Sequence, residues 1–148
     1  ELVISTVGLR AMPLLRYRTH DLSRLLPGQC SCGLAMPRHD RILGRSDDMI
    51  IYRGVNIYPG QLMEVIGQFA ELGGEYQVEL TRDERSLDHL ALTVERGQGQ
   101  TAGNDAALAH ELETRLHKAI MARVSVSVAD YASLPRTFSK SKRVVDKR

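Results

Sequence analysis

The sequence contains no tryptophan and few other aromatic residues, with two phenylalanines and five tyrosines among 148 residues. A hydrophobic core must therefore be mainly aliphatic, which the 43% hydrophobic content allows. No run approaches the ~20 consecutive apolar residues of a membrane-spanning helix, and the N-terminal region lacks the basic, apolar and small-residue segments of a signal peptide. These absences predict a protein without a membrane partner and favour a cytoplasmic location.

Cysteine is also scarce. Cys30 and Cys32 are separated by one residue, and a disulfide across so short a loop is strained, so a disulfide framework is excluded. Reduced thiols or metal ligands are the two remaining interpretations. The sequence begins at Glu1, without a methionine and directly in a strand-like run, and is expected to be part of a longer protein.

The charge is divided unevenly along the chain. Residues 1–46 carry seven basic and three acidic residues, residues 47–135 carry seven and fourteen, and residues 136–148 carry six and one. Basic ends around an acidic body could attract a polyanion, either nucleic acid or a phosphate-rich small molecule, or could simply be solvated.

Gly33, Pro37, Gly44 and the polar run at residues 45–48 predict two parts with a boundary near Asp47. Residues 1–46 show only short strand signals and are predicted to be a β segment from the end of a larger domain. Residues 47–148 are predicted to form an α+β, ferredoxin-like small domain, with a hairpin followed by two helices on one face of a small sheet. The predicted elements are a hairpin over 49–58, a helix from Gly60 to Gly73–Gly74, strands at 76–81 and 89–95, a helix capped by Asn104 or Asp105 with an apolar stripe from Leu108 to Ile120, and a strand at 124–128.

Two segments carry polar residues suited to chemistry. Asp21 could accept both hydroxyls of a ribose, and Arg45 could donate its forked N–H groups to phosphate or ribose oxygens, although each alone is also compatible with an ordinary strand or cap. In the basic tail, Lys140 and Lys142 could each present a point charge to a phosphate or an activated carboxylate, and spacing does not choose between them.

Four ordered motifs span nearly the whole chain: Tyr17–Asp21 (YRTHD), Gly44–Ile50 (GRSDDMI), Arg53–Pro59 (RGVNIYP) and Lys140–Asp146 (KSKRVVD). In this order they resemble the C-terminal third of phenylacetate-CoA ligases, which belong to the acyl-adenylate-forming ligases. The resemblance implies a two-step reaction in which a carboxylic acid and ATP form an acyl-adenylate and pyrophosphate, and coenzyme A (CoA) then displaces AMP. His20 stands where the family pattern usually has glycine.

The resemblance also implies roles for individual residues. Asp21 would hold the ribose, Arg45 would contact the nucleotide, and Asp47 would be the hinge about which residues 47–148 rotate as a mobile lid. Lys140 would be the catalytic lysine of the adenylation pose. In the thioester-forming pose the hairpin with Gly54 and Asn56 would face the CoA channel.

What the resemblance places outside this chain is equally informative. The phosphate loop, the acyl pocket and the magnesium-binding glutamate would belong to a large upstream domain of the same protein, so the fragment alone is expected to be inactive.

Cys30 and Cys32 would supply two ligands of a structural zinc. A small carboxylic acid is the expected substrate and a homodimer through the 124–128 strand is a further expectation. A nucleic-acid-binding module, disfavoured by the acidic body, and a small-molecule regulatory module remain as alternatives.

Overall fold

The computed structural model describes residues 1–8, 11–136 and 143–148. They form two compact units, Glu1–Met49 and Ile50–Arg148. In the described residues of the first unit, short strands pair antiparallel and helices are absent. The pairs are β1 (Val3–Ile4) with β2 (Tyr17–Arg18), β3 (Asp21–Leu22) with β6 (Gly44–Arg45), and β4 (Leu25–Leu26) with β5 (Arg38–His39).

In its described residues, the second unit contains two helices and a mixed four-stranded sheet, which confirms the predicted α+β class. Its elements are β7 (Ile50–Tyr52), β8 (Val55–Ile57), α1 (Pro59–Ile66), β9 (Leu72–Arg82), β10 (Asp88–Arg96), α2 (Asp105–Ile120), β11 (Ser125–Ala129) and β12 (Val144–Asp146). The sheet order is β11-β10-β9-β12, with β9 and β10 antiparallel and both outer strands parallel to their neighbours. The predicted hairpin is confirmed as β7 and β8.

The core lies between the helices and one face of this sheet. Alternate residues of β9 and β10 point into it, and the predicted stripe of α2 packs against them, with Leu112 and Leu116 completely buried. Among the described residues, every buried apolar side chain belongs to the second unit. In the first unit large apolar side chains are exposed instead, including Val7, Met12, Leu15 and Leu25. Neither described helix is long and apolar enough to cross a membrane.

The first helix ends earlier than the sequence predicted. It stops at Ile66, with Gly67 as its C-terminal cap, while Gly73 and Gly74 lie inside β9. The pairing of β9 with β10 is irregular between Val94 and Arg96, next to these glycines. A Cβ on Gly73 would lie 2.9 Å from the backbone oxygen of Arg96, so glycine serves close strand approach here and not helix termination.

The basic tail contains a strand that the sequence analysis missed. Strand β12 aligns Val144 with Val78 of β9, and the charged residues around it are paired with acidic partners. Lys147 contacts Glu79 at 2.7 Å, and Arg148 contacts both Asp146 and Asp88. In the part of the tail that the structure describes, Lys147 and Arg148 are thus each paired with a carboxylate.

Candidate functional site

Asp21 and Arg45 are brought face to face by strand pairing. They are directly opposite each other in the β3–β6 register, and Arg45 Nη1 lies 3.4 Å from Asp21 Oδ1. Both side chains are partly exposed, about 29% for Asp21 and 39% for Arg45. The carboxylate therefore keeps lone pairs accessible beside a guanidinium, which is an arrangement able to receive ribose hydroxyls and a phosphate together.

Arg45 is also held by the residue predicted to be the hinge. Its Nε and Nη2 donate to the two carboxylate oxygens of Asp47 at 3.0 and 2.7 Å, and Asp48 lies 3.7 Å away. This forked contact lowers the pKa of the Asp47 carboxyl and raises that of Arg45. Asp21, Arg45 and Asp47, which the sequence analysis singled out separately, thus form one ionic cluster.

The backbone around Asp21 explains the family's preference at the preceding position. His20 has φ of +64°, in the left-handed region that favours glycine, and its backbone oxygen accepts a hydrogen bond from the N–H of Ser46 at 2.9 Å. This bond joins the two motif segments next to the Asp21–Arg45 pair. The backbone geometry is therefore the one that a glycine would adopt easily.

The hairpin tip at Arg53 and Gly54 is a tight two-residue turn. Both residues have positive φ, +48° and +80°, as a type I′ turn requires. Arg53 donates from Nε and Nη2 to the backbone oxygen of Asp88 at 2.9 and 2.6 Å, which ties the tip to the sheet. A Cβ on Gly54 would meet no atom within 4 Å, and Asn56 is exposed. The tip is thus conformationally fixed and open on its outer side.

Cys30 and Cys32 place their thiols side by side. The two Sγ atoms are 3.0 Å apart, and the hydrogen bond between them lowers the pKa of the Cys30 thiol. Two thiolates in a tetrahedral zinc shell with Zn–S near 2.3 Å would be about 3.8 Å apart, so a small rotation of the half-buried Cys30 or the exposed Cys32 side chain would be needed. Within the described ranges, no group of three or more His, Cys, Asp or Glu side chains converges. Cys30 and Cys32 could therefore supply at most two of the four ligands of a tetrahedral zinc site.

Lys140, the predicted catalytic lysine, and Lys142 lie outside the described residues. The residues on either side of 137–142 are described, and we call residues 132–136 and Arg143 the two stems of this segment. Each stem contacts a buried or half-buried glutamate. Arg136 Nη2 lies 2.8 Å from Glu95 Oε2, and Arg143 Nη2 lies 2.9 Å from Glu75 Oε1. Neither glutamate was among the predicted site residues. No local pattern marked Glu95, because it lies on the face of β10 opposite Leu90, Leu92 and Val94, where exposure is expected.

Comparison with known proteins identifies the family. Residues 54–148 match the family described as AMP-binding enzyme C-terminal domain. The chain therefore belongs to the AMP-binding enzymes, and residues 54–148 are their C-terminal domain.

Within the AMP-binding enzymes, the chain is similar to phenylacetate-coenzyme A ligases. The chain is 40% identical over 151 residues to phenylacetate-coenzyme A ligase of Escherichia coli (strain K12), an alignment that covers 100% of this chain and 34% of that protein. It thus spans about a third of that relative. A domain of phenylacetate-coenzyme A ligase from Bacteroides vulgatus ATCC 8482 is 36% identical with a TM-score of 0.62, covering 69% of this chain and 94% of that one. The resemblance drawn from the four motifs is confirmed.

A further relative is known in two catalytic states. 2-Hydroxyisobutyryl-CoA ligase in the postadenylation state with R3-HIB-AMP is 34% identical, with a TM-score of 0.74 over 92% of this chain and 29% of that one. The same ligase with 2-HIB-AMP and CoA, in the thioesterification state, is 34% identical with a TM-score of 0.60 over 90% and 28%. These findings do not favour the nucleic-acid-binding or regulatory alternatives. The roles assigned to individual site residues stay predictions.

Proposed function

We propose that the full-length protein is an ATP-dependent acid-CoA ligase of the phenylacetate-CoA ligase type. The observation that carries this proposal is 40% identity to such a ligase along the whole chain, together with the pairing of Asp21 and Arg45 in one cluster. The reaction converts a carboxylic acid, ATP and CoA into acyl-CoA, AMP and pyrophosphate. Phenylacetate is the first substrate to test, and a related aryl or alkyl acid would use the same chemistry.

The first half-reaction joins the acid to the nucleotide. A carboxylate oxygen bonds to the α-phosphorus of ATP while the bond from that phosphorus to pyrophosphate breaks. Asp21 would accept hydrogen bonds from the ribose hydroxyls, and Arg45 would donate to the nucleotide. The ammonium of Lys140 would stabilise the negative charge that develops during this transfer.

The second half-reaction releases the nucleotide. The CoA sulfur, after losing its proton, bonds to the acyl carbon while the bond to the AMP oxygen breaks. The hairpin tip with Gly54 and Asn56 would face the CoA channel after residues 47–148 rotate about Asp47. Separate structures of 2-hydroxyisobutyryl-CoA ligase in the postadenylation state with R3-HIB-AMP and in the thioesterification state with 2-HIB-AMP and CoA support such a two-pose cycle.

An upstream domain of the same protein would supply the remaining parts. The chain spans about a third of its curated relatives, and the first unit exposes apolar side chains such as Val7 and Leu15, which a larger domain would cover. That domain would hold the phosphate loop, the acyl pocket and the magnesium ligands. We place the protein in the cytoplasm.

The experiment is a stoichiometry assay on the full-length protein. With phenylacetate, ATP, magnesium and CoA, we expect AMP and pyrophosphate to form in step with the loss of free CoA thiol, and none of these changes without the acid. Asp21→Asn should raise the KM for ATP, while the exposed control Glu79→Gln should not. Absence of acid-dependent AMP across a panel of aryl and alkyl acids would overturn the proposal.

The zinc site stays a prediction that metal analysis of the full-length protein decides. Cys30 and Cys32 would provide two thiolates and the upstream domain the others. About one bound zinc per chain, lost in the Cys30→Ser, Cys32→Ser double variant, would support the site. A wild-type protein free of zinc would reject it.

The homodimer expected from the exposed edge strand also stays a prediction. Strand β11 is an edge of the sheet, and the backbone N–H of Val126 donates to Glu113 Oε1 at 2.9 Å. A carboxylate engaging an edge N–H works against pairing with a second copy. Light scattering of wild type and Glu113→Ala would show whether the edge dimerises and whether this contact opposes it.

A further inference from the structure

Glu95 is a buried carboxylate at the end of β10. Its side chain is 1% exposed, although a charged group so deeply buried is costly unless several donors surround it. Three donors do. The backbone N–H groups of Ala132 and Leu134 lie 3.1 and 2.7 Å from its two oxygens, and Arg136 Nη2 lies 2.8 Å from Oε2. Each of these donors belongs to residues 132–136, the stretch that leads directly to residues 137–142.

The path of this stretch depends on those bonds. Ala132 has φ of +62°, a left-handed conformation that alanine adopts only when its surroundings hold it there. The preceding turn is closed by Ser133, whose N–H and hydroxyl both donate to the backbone oxygen of Asp130. Arg136 also stacks over the Tyr131 ring at 5.4 Å. Glu95 therefore anchors residues 132–136 through contacts to three of their donors.

A second glutamate joins the two stems of the segment. Glu75 on β9 accepts both of its contacts from Arg143 Nη2, at 2.9 and 3.0 Å, and Arg136 Nη1 lies 4.0 Å from the same carboxylate. Arg143 lies over the Tyr76 ring at 5.1 Å. Arg136 and Arg143, the residues immediately before and after 137–142, thus both approach the Glu75 carboxylate. Glu95 also binds Arg136.

We propose that Glu95 is a positioning residue for Lys140: it fixes the stem at Ala132, Leu134 and Arg136, from which the lysine-bearing segment departs. This inference rests on the proposed function, in which Lys140 acts in adenylation. Small displacements of a catalytic group can cost about a hundredfold in rate. Loss of the Glu95 contacts should therefore slow adenylation without affecting thioester formation, which does not use Lys140.

The test measures both half-reactions in the full-length protein. Glu95→Gln leaves an amide group facing a backbone N–H, and we expect acid-dependent exchange of pyrophosphate into ATP to fall about ten- to hundredfold. Thioester formation from preformed acyl-adenylate should change less than about twofold. Glu79→Gln removes a carboxylate from the same sheet without touching the stem and should leave both rates unchanged. Equal losses in both half-reactions, or no loss in either, would overturn the proposal.

Arg136 variants and trypsin cleavage test the Glu95 contacts in two further ways, the second of which does not depend on activity. Arg136→Gln acts from the partly exposed side of the contact and should give the same split between half-reactions, with Arg136→Lys restoring part of the adenylation rate. Trypsin should cleave the Glu95→Gln protein after Arg136 about tenfold faster than wild type, because the stem opens more often. Cleavage at the wild-type rate would refute the anchoring itself. If wild type showed no exchange but cleavage accelerated, the proposed function would fail and the anchoring would stand.

Discussion

Replacing Gly54 by alanine and by asparagine separates two requirements for glycine at the hairpin tip: its backbone conformation and the space that its missing side chain leaves. The first is conformational, since Gly54 has φ of +80° and follows Arg53 at +48°. An L-residue in the left-handed region costs ~1–2 kcal/mol, whereas asparagine tolerates it better. A Cβ at this position would meet no atom within 4 Å, so no steric clash inside the domain adds to that cost.

Alanine at position 54 should therefore lower the free energy of unfolding by ~1–2 kcal/mol, and asparagine by a smaller amount. Urea unfolding of this chain measures both values. The proposed function adds a second demand, close approach of CoA to the hairpin tip, which any side chain at position 54 would obstruct. In the full-length protein we expect both variants to slow thioester formation from preformed acyl-adenylate by about tenfold or more, while pyrophosphate exchange stays near wild type. Wild-type thioester formation by Gly54→Asn would refute close approach, leaving only the conformational demand.

Three more predictions concern the fold itself. Leu116→Ala, at a completely buried position of α2, should cost ~2–5 kcal/mol of unfolding free energy, measured by urea denaturation. Gly73→Ala should also destabilise the chain, because its Cβ would lie 2.9 Å from the backbone oxygen of Arg96; a thermal midpoint equal to wild type would contradict this contact. Hydrogen bonding to Arg148 lowers the pKa of Asp146 from 3.8 to about 2, so its contribution is present above about pH 4 and is lost as the pH falls towards 2. The difference in stability between wild type and Asp146→Asn should shrink over that range, and a pH-independent difference would be the opposite result.

Local sequence signals predicted much of the second unit. The stripe from Leu108 to Ile120 identified α2 because helical periodicity is a property of one segment, and its last three members are buried. The hairpin was predictable because a turn with positive φ at two successive residues needs glycine in one of them.

Features that depend on distant segments were not predictable. Gly73 was interpreted as a helix stop because its close neighbour, the backbone of Arg96, is remote in sequence. Strand β12 was missed because three residues become a strand only through pairing with β9. Glu95 follows the alternation of β10 on the face opposite the core, where exposure would be expected. It is buried because residues 132–136 return from α2 and β11 to cover it.

In the candidate site, too, the individual residues were predictable from the sequence, but their contacts were not. The resemblance supplied Asp21, Arg45 and Asp47 as separate motif positions, and the β3–β6 register is what places them in one ionic cluster. In the proposed function, a nucleotide that accepted hydrogen bonds from Arg45 would compete with Asp47 for the same forked donors.

The most direct measurement of the central claim compares Lys140→Ala with Lys142→Ala in the full-length protein, using the two half-reactions separately. We expect Lys140→Ala to lose acid-dependent pyrophosphate exchange but to form thioester from preformed acyl-adenylate at nearly the wild-type rate, and Lys142→Ala to retain both half-reactions. Equal loss of both half-reactions in Lys140→Ala, or selective loss of exchange in Lys142→Ala instead, would contradict it.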